Sequence, residues 1–178
     1  MVEIVRTAIV VSDEDVADAV KRSEGVGYIF NQPRGRNDRL RKQRTMTRRW
    51  PLGVRIRRAI VKKFGSGSSA PGTMVLLRSE PGCARQRWHT DYPAPAVRDL
   101  ARPPFGCLTA LMPNTTLDIW PNQVIKLDPG DMVFFRGDVV HAGSAYEQLN
   151  VRVHTYIESP ELKRRPNRTY EHSSPAYE

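Results

Sequence analysis

The chain has 178 residues, 39% of them hydrophobic, and a net charge of +9, which suits one domain with a sizeable core and leaves no stretch apolar enough to span a membrane. Its two cysteines, Cys83 and Cys107, exclude a disulfide framework and leave a single bridge open. The charge is local: residues 34–63 hold 13 Lys and Arg against one acid, Asp38, so a near-neutral domain carries one basic insert. Such a segment either meets an anionic partner or is a solvated helix face plus a loop.

In chain order, residues 2–11 are rich in β-branched side chains and read as a strand. Glu3, Arg6 and the acids at 13–15 are unlike a signal peptide, so an intracellular protein, cytoplasmic or nuclear and not secreted, is expected. Ser12 reads as an N-cap with Asp15 three residues on, and Val16, Ala19 and Val20 form the apolar stripe of a helix that Gly25 and Gly27 end. Residues 27–30 read as a short buried strand. Residues 31–49 show no apolar period and read as a mobile basic loop. From Pro51, Leu52, Ile56, Ile60 and Phe64 recur at four-residue steps, predicting an amphipathic helix with a basic outer face, closed by a linker at 65–69. Beyond Gly72, short apolar runs at 73–78, 85–92, 105–112, 116–120, 123–127, 131–136, 138–141 and 150–158 are separated by Pro and Gly turns. This is the pattern of a β-sandwich or barrel. Asp128-Pro129-Gly130-Asp131 fits a type II turn, and residues 159–178 read as a tail on the surface or disordered. The expected organisation is a single domain: strand, helices and basic loop over 1–71, a β-core over 72–158 and a tail over 159–178.

The chemistry concentrates in Trp88-His89-Thr90-Asp91. On an extended strand, residues two apart leave the same face, so His89 and Asp91 can hold one metal ion, with His141 as the best third ligand. Two imidazoles and a carboxylate on one side of a metal leave three positions for other ligands, the donor set of non-heme iron(II) oxygenases. On 150–158, Arg152, His154 and Tyr156 share one face. A guanidinium there can grip a carboxylate with two parallel hydrogen bonds, assisted by Tyr156 or His154.

These segments, with Leu127-Asp128-Pro129-Gly130-Asp131-Met132-Val133-Phe134-Phe135, His141-Ala142-Gly143-Ser144 and Asn150-Val151-Arg152-Val153-His154-Thr155-Tyr156, resemble the iron(II)/2-oxoglutarate-dependent dioxygenases. The phytanoyl-CoA-dioxygenase-like branch is nearest in flavour. The resemblance covers residues 72–158. It implies a mainly β fold with flanking helices, a cupin-like double-stranded β-helix or jelly roll. It implies Fe(II) on His89, Asp91 and His141 as the catalytic centre, and Arg152 on the distal carboxylate of 2-oxoglutarate. It also implies dioxygen as the oxidant, succinate and carbon dioxide as products, and ascorbate as a candidate reductant. Asp91 sets the chain apart from the halogenases of the family, which lack that carboxylate. For the second 2-oxoglutarate contact the candidates are Thr109 and Gln86. Arg87, Trp88 and Tyr92 are candidates for substrate binding, each with a plainer role open: a rim salt bridge for Arg87, core packing for the two aromatics.

The expected activity is hydroxylation or oxidative demethylation of an anionic substrate. Small molecule and protein residue rank level as substrates, with nucleic acid behind them, because aromatics for stacking are sparse in the basic segment. The alternatives are a non-catalytic cupin-like module and a nucleic-acid-binding module built on residues 34–63.

Overall fold

The structure, a computed structural model, describes residues 1–25, 27–31, 37–47, 49–65, 70–164 and 168–172. The elements in order are β1 (Val2–Val5), α1 (Asp13–Ser23), β2 (Tyr28–Asn31), β3 (Asn37–Thr45), α2 (Pro51–Phe64), β4 (Ala70–Ser79), β5 (His89–Thr90), α3 (Ala94–Val97), β6 (Phe105–Ala110), β7 (Thr115–Ile119), β8 (Gln123–Leu127), β9 (Met132–Arg136), β10 (His141–Gly143), β11 (Asn150–Glu158) and β12 (Tyr170–Glu171). A larger sheet runs β1-β9-β6-β11-β4-β3-β2 and a smaller one β12-β5-β10-β7-β8, with antiparallel pairing throughout. This is the double-stranded β-helix. No described helix is long and apolar enough to cross a membrane.

Two apolar layers hold it together. Between the sheets, Leu108, Ala110, Val133 and Phe135 of the larger meet Leu117, Ile119, Ile125 and Leu127 of the smaller. On the outer face of the larger sheet, Met74, Leu76, Cys107, Phe134, Val151 and Val153 pack against Ala19 of α1 and Leu52, Ile56 and Ile60 of α2. Central strands buried on both faces read as continuous apolar runs rather than alternating ones, as β6 does.

The helices form where the sequence predicts them. The Asp15 amide donates to Ser12 Oγ and the Ser12 amide to Asp15 Oδ2, a reciprocal capping box that satisfies amides the helix leaves orphaned. Pro51 occupies the first turn of α2, where its missing N–H costs nothing. The two helices are tied by the Trp50 indole donating to Asp18 and by the Arg55–Asp15 ion pair.

Elsewhere the structure differs from expectation. The strand expected over 2–11 stops at Val5, because Arg6 and the Thr7 amide turn aside to the buried Asp131 carboxylate. The Ile9 amide then donates to the Gly130 carbonyl. Gly130 takes φ 92° in the expected turn, and a Cβ there would fall 2.3 Å from the Ile9 carbonyl oxygen, so only glycine fits. Of the loop expected over 31–49, residues 37–45 are instead strand β3, paired with β4 from Arg41↔Ser79 to Thr45↔Val75; residues 32–36 and 48 lie outside the described residues. So do 66–69 of the expected linker. The run 138–141 is a turn until His141, and 85–92 is strand only at 89–90. The tail is corrected in part. Its residues 170–171 form β12, which covers the open edge of β5 (Tyr170↔Thr90, Glu171↔His89) and so satisfies backbone groups an edge leaves unpaired; residues 165–167 and 173–178 lie outside the described residues.

The basic segment is also more structural than its charge suggests. Arg44 donates to the Arg22 carbonyl, Arg57 to the carbonyls of Pro71 and Gly72, and Lys63 pairs with Glu3. Both cysteines are buried free thiols, and burial pushes Cys107 up to about 12, which keeps it an inert thiol.

Candidate metal centre

His89 and His141 face each other from β5 and β10, directly paired in the smaller sheet, with ring centroids 4.5 Å apart. Asp91 follows β5 in a turn held by Thr90 Oγ1 donating to the Tyr92 carbonyl and the Tyr92 amide donating to Gly137. All three side chains are buried, and one donor atom from each lies within 4.8 Å of the other two. His89 Nδ1 is 2.8 Å from the Arg87 carbonyl and His141 Nδ1 is 2.9 Å from the Val139 carbonyl. A carbonyl only accepts, so each Nδ1 carries the proton and each Nε2 turns a lone pair to the centre, the usual second contact of a metal-binding imidazole.

The electrostatics suit a cation. Burial lowers His89, and burial with the neighbouring His89 lowers His141 to about 4, so both rings are neutral ligands at neutral pH. Burial works to raise Asp91, but the imidazoles of His154, His141 and His89 outweigh it and hold the carboxyl well below the usual range. Asp91 Oδ1 lies 4.0 Å from His141 Nε2; Oδ2 lies 3.3 Å from His154 Nε2 but out of line for a hydrogen bond and is left without one. A buried carboxylate between two neutral nitrogen donors is a fit for a divalent metal.

The same cavity reaches Arg152 on the inward face of β11. The residue is 3% exposed, and its guanidinium donates to Ser79 Oγ at 3.0 Å and more weakly to Asn150 Oδ1 at 3.4 Å and rests over the Tyr146 ring. Burial lowers its pKa. Among the described residues no carboxylate pairs with it, so a buried cation stands ready for an anion.

Arg41 is the residue that sequence reading missed. It is 1% exposed and engaged through both terminal nitrogens: Nη1 donates to Asp38 Oδ2 and the Ala84 carbonyl, Nη2 to the carbonyls of Gly143 and Ser144. It thereby binds β3 to the segment leading into His89 and to the end of β10. No sequence signal marks it, since it sits in a basic run.

The remaining candidates separate cleanly. Gln86 walls the cavity; its Oε1 accepts from the Gly143 amide, and its buried Nε2 has no partner among the described residues. Any side chain at Gly143 would collide with Gln86 Oε1. His154 and Tyr156 wall the cavity too, with their rings 4.4 Å apart. Thr109 does not reach it. Thr109 shares its face of β6 with Phe105 and Cys107, on the helix-covered side, opposite Leu108 and Ala110. Arg87 takes the salt bridge, at 3.0 Å from Glu171. Trp88 lies outside both cavities that Asp91 lines, against Trp120 and under the Arg85 guanidinium. Tyr92 is buried beside Asp91, which together with burial raises its phenol pKa and keeps the O–H a donor.

No family model matches the chain, and no curated protein matches it in sequence. Solved structures do match in fold. A prolyl hydroxylase from Trichoplax adhaerens, in complex with a hypoxia inducible factor oxygen degradation domain peptide fragment, aligns with TM-score 0.67 at 15% identity over 89% of this chain and 83% of its own. A viral collagen prolyl hydroxylase from Paramecium Bursaria Chlorella virus-1, as its 2-oxoglutarate complex, aligns with TM-score 0.66 at 15% identity over 89% and 96%. The epimerase SnoN, in complex with Fe3+, alpha ketoglutarate and nogalamycin RO, aligns with TM-score 0.65 at 14% identity over 93% and 82%.

Proposed function

We propose that the chain is an iron(II)- and 2-oxoglutarate-dependent oxygenase that hydroxylates, or by the same step oxidatively demethylates, an anionic substrate. One observation carries the reading: three buried donors of the facial set share a cavity with a buried guanidinium that, among the described residues, has no carboxylate partner. His89 Nε2, His141 Nε2 and Asp91 Oδ1 would hold the iron, and Arg152 would take the distal carboxylate of 2-oxoglutarate. Gln86 Nε2 is the better candidate of the two for the second contact. The bound iron and cosubstrate supply dioxygen activation coupled to conversion of 2-oxoglutarate into succinate and carbon dioxide. The protein's part is orientation and dryness. The Arg87 and Val139 carbonyls fix the two rings, Ser79 and Asn150 aim Arg152, and Leu77, Leu108 and Leu117 give the cavity an apolar wall. The branch of the family stays with this proposal: the phytanoyl-CoA-dioxygenase-like flavour rests on the segments quoted above, while the folds compared include prolyl hydroxylases and an epimerase.

Iron loaded anaerobically, with 2-oxoglutarate and air then added, should give succinate even without substrate, and Asp91→Ala should give none. A wild type that makes no succinate and whose melting temperature ignores metal and 2-oxoglutarate would overturn the reading in favour of a non-catalytic module.

A further inference from the structure

A second cavity of about 380 Å3 adjoins the metal centre. Asp91 lines both cavities; Arg152 lines only the first. The outer wall of the second comes from the C-terminal segment, through Lys163, Arg164, Arg168 and Tyr170. We propose that this cavity receives the substrate, and that its basic wall selects a small molecule carrying an oxyanion group, phosphate or carboxylate. The inference rests on the oxygenase reading for its chemistry and adds the substrate class.

Four features support it. First, three cations line a wall on which, among the described residues, Asp91 is the sole acid and none of the three has an acidic partner. Clustered like charges repel, and an anionic ligand is what relieves them. Second, the Arg164 guanidinium is held in place. It stacks 3.5 Å over the ring of Tyr156, which itself walls the first cavity, and Nη2 donates to the Arg168 carbonyl. Among the described residues its Nε, which is buried, has no acceptor, so the guanidinium keeps donor capacity to spare beside the cavity. Third, Tyr92 is 1% exposed, and its phenol oxygen has no partner among the described residues. A buried hydroxyl left unpaired in the wall of a cavity is costly. Fourth, the volume falls in the range of small-molecule sites. None of the described residues of 34–63 lines this wall, so anion recognition beside the metal is assigned to the C-terminal segment and not to the basic insert.

The test is a calorimetric titration of the full chain loaded with manganese(II) and 2-oxoglutarate under nitrogen, which prevents turnover. Phenyl phosphate and benzoate serve as the two probes. At least one should bind; phenyl phosphate alone would name a phosphate ester, benzoate alone a carboxylate. Arg164→Gln and Arg168→Gln should each weaken that probe about tenfold or more, the worth of one charge-assisted hydrogen bond, while leaving 2-oxoglutarate affinity unchanged. Arg58→Gln, on the exposed face of α2, should change nothing. Melting temperatures report whether each variant is folded, and exposed Arg168 keeps the test valid if Arg164→Gln is not. The proposal is overturned if neither probe binds at millimolar concentration, if both wall variants bind like wild type, or if Arg152→Gln rather than the wall variants abolishes binding. Probe binding that depends on Arg164 in a protein blind to 2-oxoglutarate would leave the anion pocket standing and sink the oxygenase reading alone.

Discussion

Arg152 and Arg41 are both buried arginines, on strands that flank β4 on either side, and they differ in one respect. Arg41 has an acid and three carbonyls; Arg152 has, among the described residues, two neutral side-chain oxygens and no acid. Burying a charge is tolerated only with compensation, so Arg152 is the one that points to an absent anion. Arg152→Gln should therefore raise the 2-oxoglutarate dissociation constant by roughly thirtyfold or more, the scale of losing a buried charge pair, while metal binding persists. The histidines set the acid limit. Unfolded histidine takes up a proton as pH falls through about 6.5, whereas buried His141 resists until about 4. Between those values the unfolded state holds more protons, so stability is full above the first and lost on the way to the second. The depressed Asp91 acts in the same direction at lower pH. Chelator-treated protein should lose up to ~3 kcal/mol between neutral pH and pH 4 through His141, and denaturant titrations of His141→Asn should show a flatter profile.

At the scale of elements, the site depends on a strand that brings no ligand. β3 carries Arg41, which fastens both the approach to His89 and the end of β10. Arg41→Met would leave the carbonyls of Ala84, Gly143 and Ser144 without this donor and Asp38 without its cation, at a cost of about 3–5 kcal/mol. Urea unfolding should register that loss, together with weaker metal binding despite three intact ligands. The capping box of α1 is remote from the centre. Ser12→Ala should cost about 1 kcal/mol in the same assay and leave succinate formation per folded molecule unchanged.

Across the whole molecule, the proposed ligands bridge the two sheets: His89 and His141 belong to the smaller, Arg152 to the larger. Metal and cosubstrate together should therefore stabilise the domain as a unit. At a hundredfold excess over the dissociation constant, linkage gives about 2.7 kcal/mol, or a melting shift of roughly 5–10 °C for a chain of this size. Differential scanning calorimetry should show one transition moving, and Asp91→Ala should not move with metal. A second transition left in place would mean that the sheets melt separately.

Much of this was legible in the residues themselves. The donor types at His89, Asp91 and His141 are plain in the residues, although β5 ends at Thr90 and Asp91 joins His89 from the turn after it; the inward face of 150–158 follows from the two-residue period of extended chain, and β11 runs over Asn150–Glu158 as that period predicts. The capping signature and the four-residue apolar steps likewise placed α1 and α2, because helices are specified by local chemistry. What failed had no local signature. β3 hides from hydrophobic periodicity because its buried position is an arginine, neutralised by acceptors distant in sequence. Thr109 was misjudged because β6 is buried on both faces, so alternation shows that two faces exist but not which one meets the cavity. β12 is two residues long, too short to carry a pattern, and exists only because β5 presents an edge. The sequence alone thus determined the donor set and the β-rich architecture, since each depends on residue type and short spacing. Only the tertiary structure decided which cations face a cavity and which are tied up in the frame. That depends on partners far along the chain, brought within hydrogen-bond reach by the two sheets closing on each other.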